Sequence, residues 1–466
     1  MSTRKISRLN ASSDKATQVE DQQNAGAVAV VTDAAAVKPT PPIFNLNDDC
    51  CFAIFDWLPR KSLNSFGQAC KWAQRVAAHF YQMKHSAMEC EVNSSHHISG
   101  LDVFDLKNTQ KLRIWGTSLD SYRHVKSYFN RPIKQISLGR TTLSLAEVNC
   151  LKKVLRTVEC VKMDNCIING DFHEDFLTFC PNLKVLCIYN RYGRFIRNPN
   201  GNQILIGVDN GWLARKYPTL ERLEVIHNFA QKIDELKTFF EQNPNIRSLI
   251  TNSVFLVANW DLFRTANIKL DTLAIRFDNA DNVMGICDSL NALHERGVFK
   301  RLHCYNKSIS DQLASLNAME KLAITSWSAG DCANISPLLI NIKELSIDDI
   351  TVNSHMETTA RNLVNLERVY LSEPTSAAIM SFIRHSPKLR KIKVEYGSLI
   401  LNSKNDGLDL AALNNERAKL AGARKVTIYV GEGVYLAIKW ATTKTDYSLI
   451  ELRRENSYDW DEDFIY

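Results

Sequence analysis

Apolar residues recur along most of this chain in one short pattern, apolar-x-x-apolar-x-apolar, set between polar stretches. Clear copies are LKVLCI (Leu183, Leu186, Ile188), LERLEV (Leu220, Leu223, Val225) and LDTLAI (Leu270, Leu273, Ile275). MEKLAI (Met319, Leu322, Ile324), IKELSI (Ile342, Leu345, Ile347), LERVYL (Leu366, Val369, Leu371) and LRKIKV (Leu389, Ile392, Val394) repeat it. IKQISL, VECVKM, IRSLIT, FKRLHC and ARKVTI are weaker copies, and LRI near Leu112 begins the series. The alternation at the end of each copy predicts a short strand with one face buried. The middle anchors are Leu112, Ile136, Val161, Leu186, Leu223, Leu249, Leu273, Leu302, Leu322, Leu345, Val369, Ile392 and Val426, and most steps between them are 20 to 29 residues. Two longer steps carry NRYGRFIRNPNGNQ and GSLILNSKNDG, insertions rich in turn formers.

Between the strands the pattern turns helical. IDELKTFFEQNPNI puts Ile233, Leu236, Phe239 and Phe240 on one helical face and stops at Pro244. DFLTFCPNL, WLARKYPTL and FIRHSPKL follow the same order of helix, proline and strand. Such a unit cannot bury its apolar face alone, so neighbours must stack, and the period is that of leucine-rich repeats. A doubly wound α/β sheet also alternates strands and helices, but its units are longer and less regular. The predicted fold is therefore α/β, a curved solenoid of about 12–13 strand-helix repeats over residues 89–440.

In each repeat the anchors point into the core and the flanking strand residues point to the concave side. Arg113, Trp115, Tyr189, Arg222, Arg276, His303, Tyr305, Arg368, Tyr370, Lys391 and Lys393 fall at such positions. Arginine and aromatic residues are what protein interfaces favour, so these are the candidate target-binding residues. Glu224, Glu344 and Asp348 make the face mixed in charge.

The segments outside the repeats differ. Residues 1–42 are rich in Ala, Ser, Gln and Asp, without an aromatic residue, which predicts a disordered arm ending at Pro41-Pro42. Residues 43–88 predict three short helices. Asn47 or Asp48 caps the first, which carries Cys51, Ile54, Phe55 and Leu58 and stops at Pro59. Ser62 caps the second, with Leu63 and Phe66, and Ala69, Cys70, Val76, Ala77 and Phe80 mark the third. So small a bundle has more apolar area than it can cover, and such a patch marks an interface. The last segment, 441–466, ends in SYDWDEDFIY, with acids between aromatics. Tyr458, Trp460, Phe464 and Tyr466 are expected to dock this tail back on the basic part of the concave face.

The segment from Asn45 to about Phe80 resembles an F-box, with Leu46, Ile54, Phe55, Leu58, Leu63 and Cys70 at matching positions. An F-box followed by leucine-rich repeats resembles the substrate receptors of Skp1-cullin ubiquitin ligases, with a ribonuclease-inhibitor-like solenoid. The resemblance implies that Leu46, Cys51, Ile54, Phe55, Leu58 and Leu63 hold Skp1, and through it cullin. The repeats would hold an unknown protein substrate, and the chain would carry no catalytic residue. Bringing a target near the charged ubiquitin carrier is an effective-concentration effect. A leucine-rich scaffold without a ligase role is the alternative.

Composition narrows the remaining classes. A net charge of +6 on 466 residues is mild and dispersed, which argues against nucleic acid as partner. No window approaches the roughly 18 apolar residues that span a bilayer, and no secretory signal precedes the arm, so a cytoplasmic or nuclear protein is expected. Twelve cysteines lack zinc-knuckle spacing and predict buried thiols rather than a metal site. No phosphate loop, nucleophile elbow, HExxH motif or dinucleotide fingerprint occurs, so no cofactor is expected.

Overall fold

The computed structural model describes residues 42–84, 89–93, 110–115, 132–143, 145–168, 177–190, 194–197, 203–206, 211–227, 233–277, 283–307, 310–327, 334, 336–349, 355–395, 408–442 and 444–455. The chain divides into two units, Met1–Leu46 and Asn47–Tyr466. The described part of the first is a 3-10 turn, Pro42–Asn45, closed by Leu46 N–H donating to Ile43 O at 3.3 Å.

The second unit begins with three helices, α1 (Asp48–Phe55), α2 (Arg60–Ala69) and α3 (Lys71–Lys84). Asn47 caps α1, its Oδ1 accepting from Cys50 N–H at 2.8 Å, and Asp48 and Asp49 complement the helix dipole in the first turn. Helix α2 starts three residues earlier than the sequence predicts. Pro59 is its N-cap and accepts from Leu63 N–H, so Ser62 lies inside the helix. Proline offers no capping side chain. The carboxylate of Glu432, near the other end of the chain, instead takes the Arg60 N–H at 3.0 Å. The sulfur of Cys70 accepts from Ala73 N–H at the start of α3. Cys51, Phe55, Leu63, Val76, Ala77, Phe80 and Tyr81 fill the space between the helices, with the Phe55 ring 5.0 Å from Phe66 and 5.5 Å from Phe80.

The rest is organised by one sheet of fifteen parallel strands. In chain order the strands are β1 (Glu89–Asn93), β2 (Lys111–Trp115), β3 (Gln135–Gly139), β4 (Thr142–Leu143), β5 (Cys160–Asp164), β6 (Ile167–Ile168) and β7 (Val185–Asn190). They continue with β8 (Arg194–Arg197), β9 (Gln203–Ile206), β10 (Arg222–His227), β11 (Ser248–Asn252), β12 (Leu270–Arg276) and β13 (Phe299–Asn306). The last are β14 (Met319–Ser326), β15 (Glu344–Asp349), β16 (Arg368–Ser372), β17 (Lys391–Glu395), β18 (Val426–Val430) and β19 (Ile450–Arg454). β4 and β6 pair with each other outside the large sheet. So do β8 and β9, an antiparallel hairpin formed by the first long insertion.

Strand order follows chain order without a reversal, which separates stacked repeats from a doubly wound sheet. The anchors sit side by side: Leu112 pairs with Ile136, Ile136 with Val161, Val161 with Leu186, Leu186 with Leu223, and Leu223 with Leu249. A register shift at Leu302 in β13 makes Cys304 the partner of Leu322. The anchors are essentially sealed, as are helical residues such as Leu236, Phe239 and Phe382 that pack over them. One continuous apolar core runs through the repeats, as expected when each unit depends on its neighbours.

Two features differ from the sequence reading. The register assigns the anchor of β18 to Ile428, which pairs with Ile392, and not to Val426. The sheet also gains a strand at each end. β1 contributes Cys90 opposite Leu112, and β19 contributes Leu452 opposite Ile428, inside the segment assigned to the tail. Side chains that alternate charged and apolar, as in IELRR, hide such edge strands from the leucine pattern.

The residue two places before each anchor marks the entry to the strand, and at Gln110, Lys134, Glu159, Lys184, Glu221, Arg247, Lys343 and Glu367 its carbonyl accepts two N–H groups of the next repeat. Lys134 O takes Glu159 N–H at 2.7 Å and Cys160 N–H at 3.0 Å, and Arg247 O takes Asp271 and Thr272 in the same way. The side chains at this position alternate in sign without a break from Lys134 to Arg390: Lys134, Glu159, Lys184, Glu221, Arg247, Asp271, Lys300, Glu320, Lys343, Glu367, Arg390. Glu159 lies 3.5 Å from Lys134 and 2.9 Å from Lys184, Asp271 lies 3.8 Å from Arg247 and 2.7 Å from Lys300, and Glu320 lies 2.7 Å from Lys343. The turns beside this ladder are tied too: Asn182, Asn245 and Asn365 each donate to a carbonyl of the preceding repeat, Arg156, Pro218 and Ile340.

Arg417, on the helix Leu410–Ala418, is fully buried. Its guanidinium donates to five carbonyls, those of Ile383, Ser386, Pro387, Leu389 and Arg424, at 2.7–3.1 Å. These carbonyls end one helix and begin a strand, where backbone acceptors lack intrahelical partners. Burial brings the Arg417 pKa down to about 10.

Candidate functional site

Side chains alternate across each strand, so a sheet with helices over one face presents a second face. The expected target-binding residues all fall on it, because each lies an odd number of places from its anchor or shares register with one that does. The structure places them in three environments.

At the first end, Trp115 lies over Gly139, its neighbour in register. A Cβ at Gly139 would come within 1.9 Å of the indole, so only glycine admits the ring there. Arg113 and Arg140 approach the indole at 6.0 and 5.4 Å, and Arg113 is paired with Glu89 at 3.1 Å. Trp115 remains half-buried.

In the middle, the face carries buried apolar clusters. Ile250, Ala274, Tyr305 and Ala323 form one apolar cluster, and Cys187, Tyr189 and Ile226 form another. Glu224 is buried beside the second cluster, where the Cys187 thiol donates to its Oε2 at 3.2 Å and Arg222 lies 3.5 Å away. Burial, together with this carboxylate, pushes both Cys187 and Tyr189 well above their ordinary pKa values. Cys187 is therefore held as a thiol and is no nucleophile. His303 is half-buried and shares register with Ala274 and Lys321.

Toward the last repeats the face is charged and aromatic. Buried Lys321 lies 3.5 Å from Glu344, which also meets Arg368 at 3.4 Å. Lys393 pairs with Glu455 at 2.6 Å and stands 5.2 Å from the Tyr370 ring, and Lys391 stands 5.7 Å from Tyr429.

Several expected site residues are structural. Tyr189, Tyr305 and Tyr370 lie on the second face but are 7%, 6% and 2% exposed, covered by their neighbours. Of the expected Skp1-contacting residues, Cys51, Phe55 and Leu63 are about 1% exposed and belong to the bundle's own core. This corrects their placement on the docking surface: the i, i+4 pair Cys51 and Phe55 faces α3, and Leu63 lies on the inner side of α2. Ile54 is exposed, Leu58 is half-buried, and Leu46, in the first unit, is half-buried. Tyr458, Trp460, Phe464 and Tyr466 lie outside the described residues.

The corner between α1 and α2 makes contacts the sequence did not announce. Asp56 forms an ion pair with Lys439 and accepts from the Tyr435 hydroxyl at 2.9 Å. Arg454 donates to the carbonyls of Asp56 and Leu58 and meets Glu432 at 3.3 Å. Lys439 also stands 4.8 Å from the Trp57 ring. The helix Glu432–Ala441 and β19 thus clasp the N-terminal helices. Burial raises the Asp56 pKa, but bonds from Lys439 and Tyr435 and the charges of Lys439 and Arg454 outweigh it and hold the carboxyl below its ordinary value.

Sequence reasoning also passed over Lys321 and the small residues Ala274, Ala323 and Ser346 on the second face. Lys321 stands in MEKL where Arg222 stands in LERL, so repeat position alone could have found it. The small residues carried no such signal. Among the described residues no group of three or more His, Cys, Asp or Glu side chains is placed to hold a metal, and no helix is long and apolar enough to cross a membrane.

No family model and no curated protein matches the sequence. Among solved structures, the chain is similar to the leucine-rich repeat-containing protein LegL7 from Legionella pneumophila, at 14% identity over 74% of this chain and 94% of that one, with a TM-score of 0.25. The repeat architecture rests on the register of the fifteen strands and not on that likeness.

Proposed function

We propose that this chain is a protein-binding scaffold that acts as a substrate-recognition adaptor, its N-terminal helices docking Skp1 and its second sheet face holding a target protein. The observation that supports binding is the second face itself. A long parallel sheet presents Trp115, Arg276, Arg368, Lys391 and Lys393 at fixed spacing, on a frame whose rigidity costs little entropy when a partner docks. Tryptophan and arginine on such a frame are the residues that dominate protein interfaces. In this reading the chain supplies position and no reacting group.

The adaptor form draws on the F-box resemblance and on the exposed side of α1. Ile54 on that helix and Trp57 in the turn after it, 43% and 37% exposed, leave apolar surface outside the bundle core. The test is co-expression with Skp1, comparing the native chain with Ile54→Asp. Ile54 is the right probe because, unlike Leu63, it can be changed without opening the core. Skp1 recovered with the native chain and lost with Ile54→Asp supports the adaptor. If the native chain fails to recover Skp1, the adaptor form is wrong and the scaffold reading alone stands.

A further inference from the structure

A pocket of about 200 Å³ opens at the C-terminal ends of β12 to β15. Its origin is legible in the register. Tyr305 in β13 pairs with Ala323 in β14, Ala323 with Ser346 in β15, and Ser346 with Tyr370 in β16. The two small side chains beside Tyr305 leave a depression, and Tyr370, one strand further, does not line it.

The lining has two characters. Phe277, Tyr305, Ala323 and Ile324 supply apolar surface, whereas Asn306, Thr325 and Ser346 supply hydrogen-bonding groups. Arg276 and Lys307 bring two positive charges to the walls against the single carboxylate of Asp348. A cavity of roughly 150 Å³ is enough to hold a benzene ring, so this one fits one aromatic side chain with a polar edge. Binding energy at protein interfaces concentrates where an aromatic anchor fills such a pocket.

We propose that this pocket is the anchor subsite of the second face, taking one aromatic side chain from an acidic segment of the partner protein. The ring occupies the space over Ala323 and Ser346. Its hydroxyl or indole N–H reaches Asn306 or Thr325, and carboxylates flanking it in the partner meet Arg276 and Lys307. This rests on the reading of the face as a protein-binding surface and names what that surface selects.

The test uses the full chain and an acetylated, amidated Asp-Asp-Trp-Asp-Asp peptide as probe, read by fluorescence anisotropy. The expected result is saturable binding that falls at least tenfold when the probe tryptophan becomes alanine and when Ala323→Leu fills the pocket. Lys307→Glu, at an exposed position, should weaken binding severalfold and restore part of it toward a Lys-Lys-Trp-Lys-Lys probe. No binding by the native chain, or binding indifferent to both variants, overturns the proposal. Binding seen only after residues 457–466 are removed also overturns it, because the occupant is then the chain itself. A photo-crosslinking residue at Thr325 and another at Lys391, used in cells, distinguish the pocket from the face as a whole. Protein adducts at Lys391 alone refute the pocket and leave the face a protein-binding surface, whereas adducts at neither refute both.

Discussion

Lys439 closes on the carboxylate of Asp56 across 383 positions of the chain. Both groups are largely withdrawn from water, with side chains 13% and 27% exposed, and the pair is reinforced by Tyr435 and Arg454. Removing one member leaves the other poorly solvated. Asp56→Ala is expected to cost about 2 kcal/mol, the scale of a charge-assisted hydrogen bond. Asp56→Lys combined with Lys439→Asp should recover part of it. Urea unfolding of the native chain, Asp56→Lys, Lys439→Asp and the double form checks the coupling, and a double loss equal to the sum of the two single losses would dismiss it.

The acid dependence of that clasp has a definite sign. A carboxyl whose folded pKa is depressed contributes stability above its unfolded pKa and loses it as pH falls through the folded value. The difference in stability between native chain and Asp56→Asn should therefore be constant near neutrality and shrink only as the pH falls below about 4.

His227 has the same sign of acid dependence in a higher pH window. It is fully buried against Phe255, and burial lowers its pKa to about 4. The unfolded chain binds this proton from about pH 6.5 downward and the folded chain only near pH 4, so acid destabilises the fold across that window. The loss from this group alone is of the order of 3 kcal/mol at pH 4, from about 1.4 kcal/mol per unit. His227→Leu should flatten the fall in the urea midpoint between pH 7 and pH 5. An unchanged slope would show that other groups govern it.

Arg417 answers five backbone carbonyls at once. Arg417→Met leaves these acceptors unsatisfied and should cost about 3 kcal/mol or more in chemical denaturation. Arg417→Lys should restore little, because an ammonium offers three donors without the planar fork. Full rescue by lysine would mean that charge and not geometry is what the site requires.

Gly139→Ala tests how the second face is laid out. The new methyl displaces the Trp115 indole from its seat and from Arg140, so tryptophan emission should shift to the red. The same substitution in a Trp115→Phe background should leave the emission of the other tryptophans unchanged.

How much of this could be read beforehand follows from what each signal encodes. Leucine spacing encodes burial against a neighbour, and so the repeats and most anchors were legible. Val426 misled because Val426 and Ile428 sit on the same side of one strand, and only pairing with Ile392 decides between them. Periodicity in α1 showed an apolar side but not what covers it. Cys51 and Phe55 turned out to be covered by the chain itself, whereas Ile54 is not. The pocket escaped because it is made by what is missing, the side-chain volume absent at Ala323 and Ser346. The clasp escaped because no local pattern connects Asp56 with Lys439.

The charge ladder along the strand entries carries a consequence for how such a chain can change length. Signs alternate at every step from Lys134 to Arg390. Losing or duplicating one repeat sets two like charges side by side, a clash of a few tenths of a kcal/mol or more at neighbouring surface positions. Losing or duplicating two repeats leaves the alternation intact. Insertions and deletions of whole repeats are thus expected in even numbers, and the unit of inheritance in this stretch is the pair.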